Sequence, residues 1–456
     1  MNRTMLVVSL AGLSACGAEM PEVDSLAAAL TAAECQQFAV GGKVTVCHAT
    51  KKGLQATKVT VAKCLTHVSH PDDIIAVNGV CVAAPTCTGT CGDTSGPSGG
   101  DLPCCCGDTV TSDTTLAGDP VTQAACPAGG LALGAGVDLD LGGSTVSGSG
   151  GGAGITVAAG GAIRNGTVSG FGTGVLVDGA DPAARVAVTG VTSRLNLGDG
   201  ILVRAAPGAA DLDDPTAQLD VGGFGVVVDT VEAHGNGGHG VHLAGQAADV
   251  SARVEQAELH HNAGAGLLLE QRAGVAFRNN HPYDNRGPGV ELLSGFILTP
   301  VGRDLGFTGN DIHHNGFTAG GCDGLESAPQ VLVSGPVGLG NATCAAAANQ
   351  AECAAIGELQ DCGWTGVDCR VAWDLRGDLD ETCFSASRNR IFDYNLSQLA
   401  GPEAVGMRAT NGSFVVAQHN MWRISDSTEN VSYDVSSFIE ADPMCPGVIL
   451  QCQSLP

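Results

Sequence analysis

Two acids sit where a recurring turn opens onto a short apolar alternation: Asp199 in Asn196-Leu-Gly-Asp-Gly-Ile and Glu291 in Gly289-Val-Glu-Leu. Converging carboxylates are what glycosidic cleavage needs, one as acid and one as base or nucleophile. Asp138 and Asp140, in Val137-Asp-Leu-Asp-Leu, are further candidate acids. Elimination from a uronate would instead need a base, usually Arg or Lys, with acids holding Ca²⁺. Lysine is nearly absent after Lys63, which leaves arginine. Cys47, His48, His67 and His70 are donors of the Zn²⁺ type, but their spacing closes no metal site, and disulfides among neighbouring cysteines account for the region more simply. His260-His261 and His313-His314 each precede an asparagine and read as solvent-facing turn residues.

These residues belong to a chain of unusual balance. Net charge is −26, from 21 basic and 47 acidic residues. Such a chain does not hold nucleic acid through phosphate contacts. Its acids suit a soluble surface or weak Ca²⁺ sites. Glycine is abundant, at 67 residues, and aromatic residues make up 4%. That composition alone could signal disorder. The hydrophobic share of 44% and the periodic placement of glycine point instead to a repeat.

The repeat is Asn-x-Gly-x-Gly-apolar-x-apolar, at Asn196–Val203, Asn236–Leu243, Asn262–Leu269 and Asn285–Leu292, with an Asn-less copy at Phe171–Val177. Each copy supplies one short strand with alternate residues inward. Glycine permits the positive φ of the turn. The asparagines 196, 236, 262 and 285 are expected to stack as an amide ladder. Val175/Val177, Ile201/Val203, Val241/Leu243, Leu267/Leu269 and Val290/Leu292 would form five stacked core layers. The outward residues are then Leu176, Leu202, His242, Leu268 and Glu291. Three of the five are leucine, a poor lining for an acidic-sugar cleft.

The repeat resembles the parallel β-helix of the pectin-lyase-like superfamily, over roughly 107–330 and again near 385–440. The resemblance implies an all-β, right-handed parallel β-helix solenoid. A Cys-rich region (34–106) precedes it, a disulfide-stapled insertion (331–384) interrupts it, and terminal coils with a cap (385–456) close it. Gly238-His239-Gly240 matches an element of polygalacturonases. The companion motifs are missing, however, and Asp213-Asp214 falls before the match, so His239 reads as a turn residue. The Val44-Thr-Val-Cys-His start resembles a small module of secreted bacterial proteins.

Export is the other expectation. Arg3 and the apolar run Met5–Leu13 are too short to span a bilayer and read as a signal peptide. Leu13-Ser-Ala-Cys-Gly resembles the lipobox of bacterial lipoproteins, which implies lipid on Cys16, residues 1–16 as leader, 17–33 as tether, and an outer-membrane or cell-surface location. Setting Cys16 aside leaves 18 of the 19 cysteines: ten from Cys35 to Cys126 and eight from Cys322 to Cys452. Even clusters suit an oxidising compartment. No catalytic constellation emerges from spacing. The sequence therefore reads first as a non-catalytic envelope lipoprotein for adhesion, glycan contact or structure, partnered by membrane through its lipid and by glycan or another envelope protein. The alternative is a polysaccharide lyase, hydrolase or epimerase on the same scaffold.

Overall fold

A computed structural model describes residues 42–50, 53–67, 74–75, 89–92, 104–116, 125–180, 184–205, 224–244, 250–270 and 273–293, then 296–297, 306–317, 327–335, 346–353, 355, 362–364, 368–371, 373–376, 388–392, 405–422, 430–433, 436–441 and 445–446. The chain divides into two units, 1–84 and 85–456.

In the first unit Lys43–Thr50 and Gly53–Thr60 form an antiparallel hairpin, with Ile74–Ile75 paired on its outer side and the helix Val61–His67 following. Val44, Val46, Val59 and Cys64 are its buried cluster. His48 lies in the first strand, opposite Gln55, and His67 ends the helix. Their side chains, and all of His70 and Cys16, lie outside the described residues.

The second unit is a parallel β-helix. Twelve strands, from Thr90–Cys91 to Val431–Tyr433, form one all-parallel sheet. Its register is the one the repeat implies: Val175 pairs with Ile201, Ile201 with Val241, Val241 with Leu267, and Leu267 with Val290. Every residue of the five expected core layers is fully buried. No coil has a core of its own, so each is stabilised by its neighbours. The first described strand, Thr90–Cys91, lies within the region read as Cys-rich. Val331–Ser334, at the start of the expected insertion, pairs in register with Val290–Leu293 and Met407–Thr410. Within that stretch Cys362–Trp364 and Cys369–Val371 make an antiparallel hairpin, with Cys353 bonded to Cys369. Cys91–Cys104 and Cys106–Cys126 close the amino-terminal coils.

Two amide ladders line the turns. Asn196 Nδ2 donates to Asn236 Oδ1, Asn236 Nδ2 to Asn262 Oδ1, and Asn262 Nδ2 to Asn285 Oδ1, each at 2.9 Å. The ladder continues through Asn315 to Gln330. A second runs Asn280, Asn310, Asn389, Asn420. Asn196 Nδ2 also donates to the Ser193 hydroxyl, and the other ladder asparagines each donate to a backbone carbonyl, such as Asn262 to Ala233. The buried polar groups are thereby satisfied.

A further strand face is made of Glu232–His234, Glu258–His260, His281–Tyr283, Asp311–His313 and Arg390–Phe392. The middle residue of each strand enters the core, and the flanking two point outward. One outward row is a stack of rings: His234 on His260 at 4.9 Å, His260 on Tyr283 at 4.7 Å, Tyr283 on His313 at 5.6 Å, and His313 on Phe392 at 4.7 Å, all within 16° of parallel. The coil step of about 4.8 Å suits ring stacking. His260 and His313 are therefore half-buried members of this stack, not solvent-facing turn residues. Turn positions with positive φ belong to their neighbours His261 and His314.

Candidate acid–base site

The residue between the two glycines of the repeat is Asp199 in one coil, His239 in the next and Ala265 in the third. Stacking places them directly over one another. Gly238 lies beneath the Asp199 carboxylate and Gly264 beneath the His239 ring; a Cβ on either would collide with that side chain. The glycines thus admit the side chain of the preceding coil, which is why a bulky residue can occupy the turn at all.

Asp199 Oδ1 accepts the His239 backbone N–H at 2.8 Å. Its Oδ2 meets His242 Nδ1 at 2.8 Å. His242 is the outward residue of the next strand of the sheet, paired between Leu202 and Leu268. Its Nε2 faces Glu270 Oε1 at 3.4 Å and is buried without a hydrogen bond. Asp199 and His242 side chains are each 15% exposed, and Glu270 is 32% exposed. Glu291, the other sequence candidate, is outward and half-buried, two strands from His242.

The groups are pushed towards different proton affinities. Burial pushes Asp199 up, but the hydrogen bonds from His242 and the His239 N–H, with the nearby ring charges, outweigh it and hold the carboxyl below its ordinary value. Burial would depress His242; its bond to Asp199 and the Asp199 and Glu270 charges outweigh that and raise it. His239 goes the other way. Its burial outweighs the pull of Asp199 and lowers it, and its Nδ1 accepts the Ala265 N–H at 2.9 Å, so the neutral ring carries its hydrogen on Nε2. Burial, then the Glu270 charge, raises Glu291 against the opposing effect of His242.

Two imidazoles whose ring centres are 5.5 Å apart thus have opposite proton preferences. Environments that push neighbouring groups apart in this way are how acid and base roles are divided in one site. Asp199 orients the His242 ring and favours its charged form; Nε2 is the atom left to exchange a proton. Glu291, raised by burial, holds a proton more tightly than an ordinary carboxyl.

Asp199 and Glu291 therefore share a neighbourhood, through residues the sequence reading passed over. By sequence alone His239 reads as a plain turn, His242 only as an outward position, and Glu270 carries no signal. The signal was present: His242 breaks an otherwise leucine-rich outward row. Asp140 stands apart on another strand face, bonded to Arg164 Nε at 2.9 Å and to Asn165, and Asp138 lies on the same strand. Of the outward leucines, Leu202 and Leu268 are withdrawn from solvent, to 8% and 6% exposure, and Leu176 is half-buried.

No family model and no curated protein matches the chain. Among solved structures, the Azotobacter vinelandii mannuronan C-5 epimerase AlgE6 A-module is similar at 11% identity and TM-score 0.33, covering 75% of each chain. The AlgE4 A-module of the same organism is similar at 14% identity and TM-score 0.25, covering 78% of this chain and 84% of that one. At such scores the functional reading rests on the site geometry.

Proposed function

We propose that this chain is an exported, polysaccharide-modifying β-helix whose proton-transfer group is His242. The observation that carries the reading is the Asp199–His242 pair, with His242 Nε2 buried and 3.4 Å from Glu270 Oε1. A positioned histidine oriented by a carboxylate is a general acid–base catalyst, and such transfer contributes about 10²–10⁴-fold. Glu291 is the partner acid. The linear sheet face, repeating every coil, suits an extended polymer. Ca²⁺ bound with the substrate would offset the repulsion between an acidic glycan and so acidic a chain. We place the protein at the bacterial outer membrane or cell surface, held by lipid on Cys16.

The test is a panel of acidic and neutral glycans, with and without Ca²⁺. Reducing ends, unsaturated products and solvent deuterium incorporated at carbon separate hydrolase, lyase and epimerase. The reading expects turnover on at least one glycan and its loss in Glu291→Gln. Turnover on none, across the panel, contradicts it.

The burial of Leu202 and Leu268 beside His242 favours a second reading, a non-catalytic scaffold in which this face contacts a glycan or another envelope protein. Retained binding of a glycan without any product would select it.

A further inference from the structure

We infer that His281, Asp311 and His313 form a binding site for a divalent transition-metal ion, with Zn²⁺ the ion their donors suit best. The three belong to adjacent coils of the ring-stacked face, separate from His242. One donor atom from each lies within 4.8 Å of the others.

The geometry is that of a ligand set with its supports in place. His281 and His313 turn their Nε2 atoms towards each other at 2.7 Å. Behind them, His281 Nδ1 meets Glu258 Oε2 at 3.0 Å, and His313 Nδ1 meets His314 Nδ1 at 2.7 Å. A carboxylate or other partner on the far ring nitrogen is what fixes a metal-binding imidazole in orientation. Asp311 is held by Arg390 through Oδ2. Its Oδ1 is buried with no hydrogen bond, a costly state for a carboxylate oxygen. Ring stacking explains why His313 sits over Tyr283. It does not explain the orphaned Asp311 oxygen, nor two imidazole nitrogens aimed at one point.

Without a metal, the two Nε2 atoms can face each other only by sharing a hydrogen. His281 then donates Nδ1–H to Glu258 and accepts from His313 Nε2–H, and His314 donates to His313. A metal ion takes the place of the shared hydrogen; His313 then carries its hydrogen on Nδ1, donating to His314 Nδ1, and His314 carries its own on Nε2. Imidazole binds metal as the neutral ring, through a nitrogen that carries no hydrogen. Bond lengths of roughly 2.0–2.1 Å set tetrahedral donors about 3.3 Å apart, so the rings open slightly and Asp311 closes in. Two nitrogens and one oxygen suit Zn²⁺ or a similar ion and not Ca²⁺, which takes oxygen donors. Three protein ligands leave a fourth position for water or a second ligand.

The experiment is calorimetric titration of chelator-treated, untagged full-length protein with ZnCl₂, alongside melting curves. The expected result is one equivalent bound at this site and a rise in Tm with Zn²⁺. His281→Gln, Asp311→Asn and His313→Gln each weaken that binding at least about tenfold, and Glu258→Gln by a similar factor through its support of His281. His234→Gln, in the same ring stack, changes it less than about twofold. His281 is half-exposed, so His281→Gln keeps the test open if His313→Gln does not fold. No Zn²⁺-dependent heat, or binding unchanged in His281→Gln and Asp311→Asn, overturns the inference.

Discussion

The outward row Leu202, His242, Leu268, Glu291 and the outward row His234, His260, Tyr283, His313 both run along the axis, one residue per coil, yet different forces hold them. In the ring row like stacks on like, and each residue is explained by the one before it. In the sheet row a histidine interrupts leucines, and nothing in the row partners it. Its partners come from a turn, Asp199, and from the residue beyond a strand, Glu270. In a solenoid, repetition accounts for itself by stacking; a residue that breaks the row needs another reason. The same rule applied within the ring-stacked face singles out Asp311, whose free oxygen stacking leaves unsatisfied.

The contrast can be broken at several levels. Both rows rest on one core, so Leu267→Ala should carry the largest penalty, about 2–5 kcal/mol in chemical denaturation, and affect both faces alike. Asn262→Ala orphans buried groups in the turn ladder and should cost about 1–3 kcal/mol for each. Asp199→Asn should cost less, about 1.5 kcal/mol for one hydrogen bond to a charged group, and its cost should depend on pH. Asp199, lowered in the folded chain, contributes stability above about pH 4 and loses it as pH falls through the folded pKa. His242, raised, contributes below about pH 6.5 and loses it as pH rises through the folded value. The Tm gap between wild type and Asp199→Asn should therefore be widest from about pH 4 to 6.5 and narrow on either side. A gap flat with pH would remove the ion pair from the account. Smallest is Tyr283→Leu, which interrupts the ring stack and should cost about 0.5–1.5 kcal/mol, with no effect on the pH dependence seen at Asp199.

The solenoid was legible because its signal is local. Asn-x-Gly-x-Gly followed by alternating apolar residues sets turn, strand and register within eight residues, and Leu243 and Leu267 fall into core positions of consecutive strands by counting alone. The acid–base cluster was not legible, because its members come from separate coils. Asp199 and His242 are 43 positions apart, and the longest step between repeats lies between them. Only stacking reveals that Asp199 overlies Gly238. The ring row had a signal that went unread: His234, His260, Tyr283 and His313 each stand two residues before a ladder asparagine. Histidines beside a turn suggested solvent, whereas the pleat sends the first of each pair into the stack.

The central claim is that His242 transfers the proton. The direct measurement is kcat for His242→Gln against wild type, on the glycan that the wild-type chain turns over, with Tm recorded for both. The account predicts a fall of about 10²–10⁴-fold in kcat with the melting transition retained. Turnover by His242→Gln at the wild-type rate would contradict it.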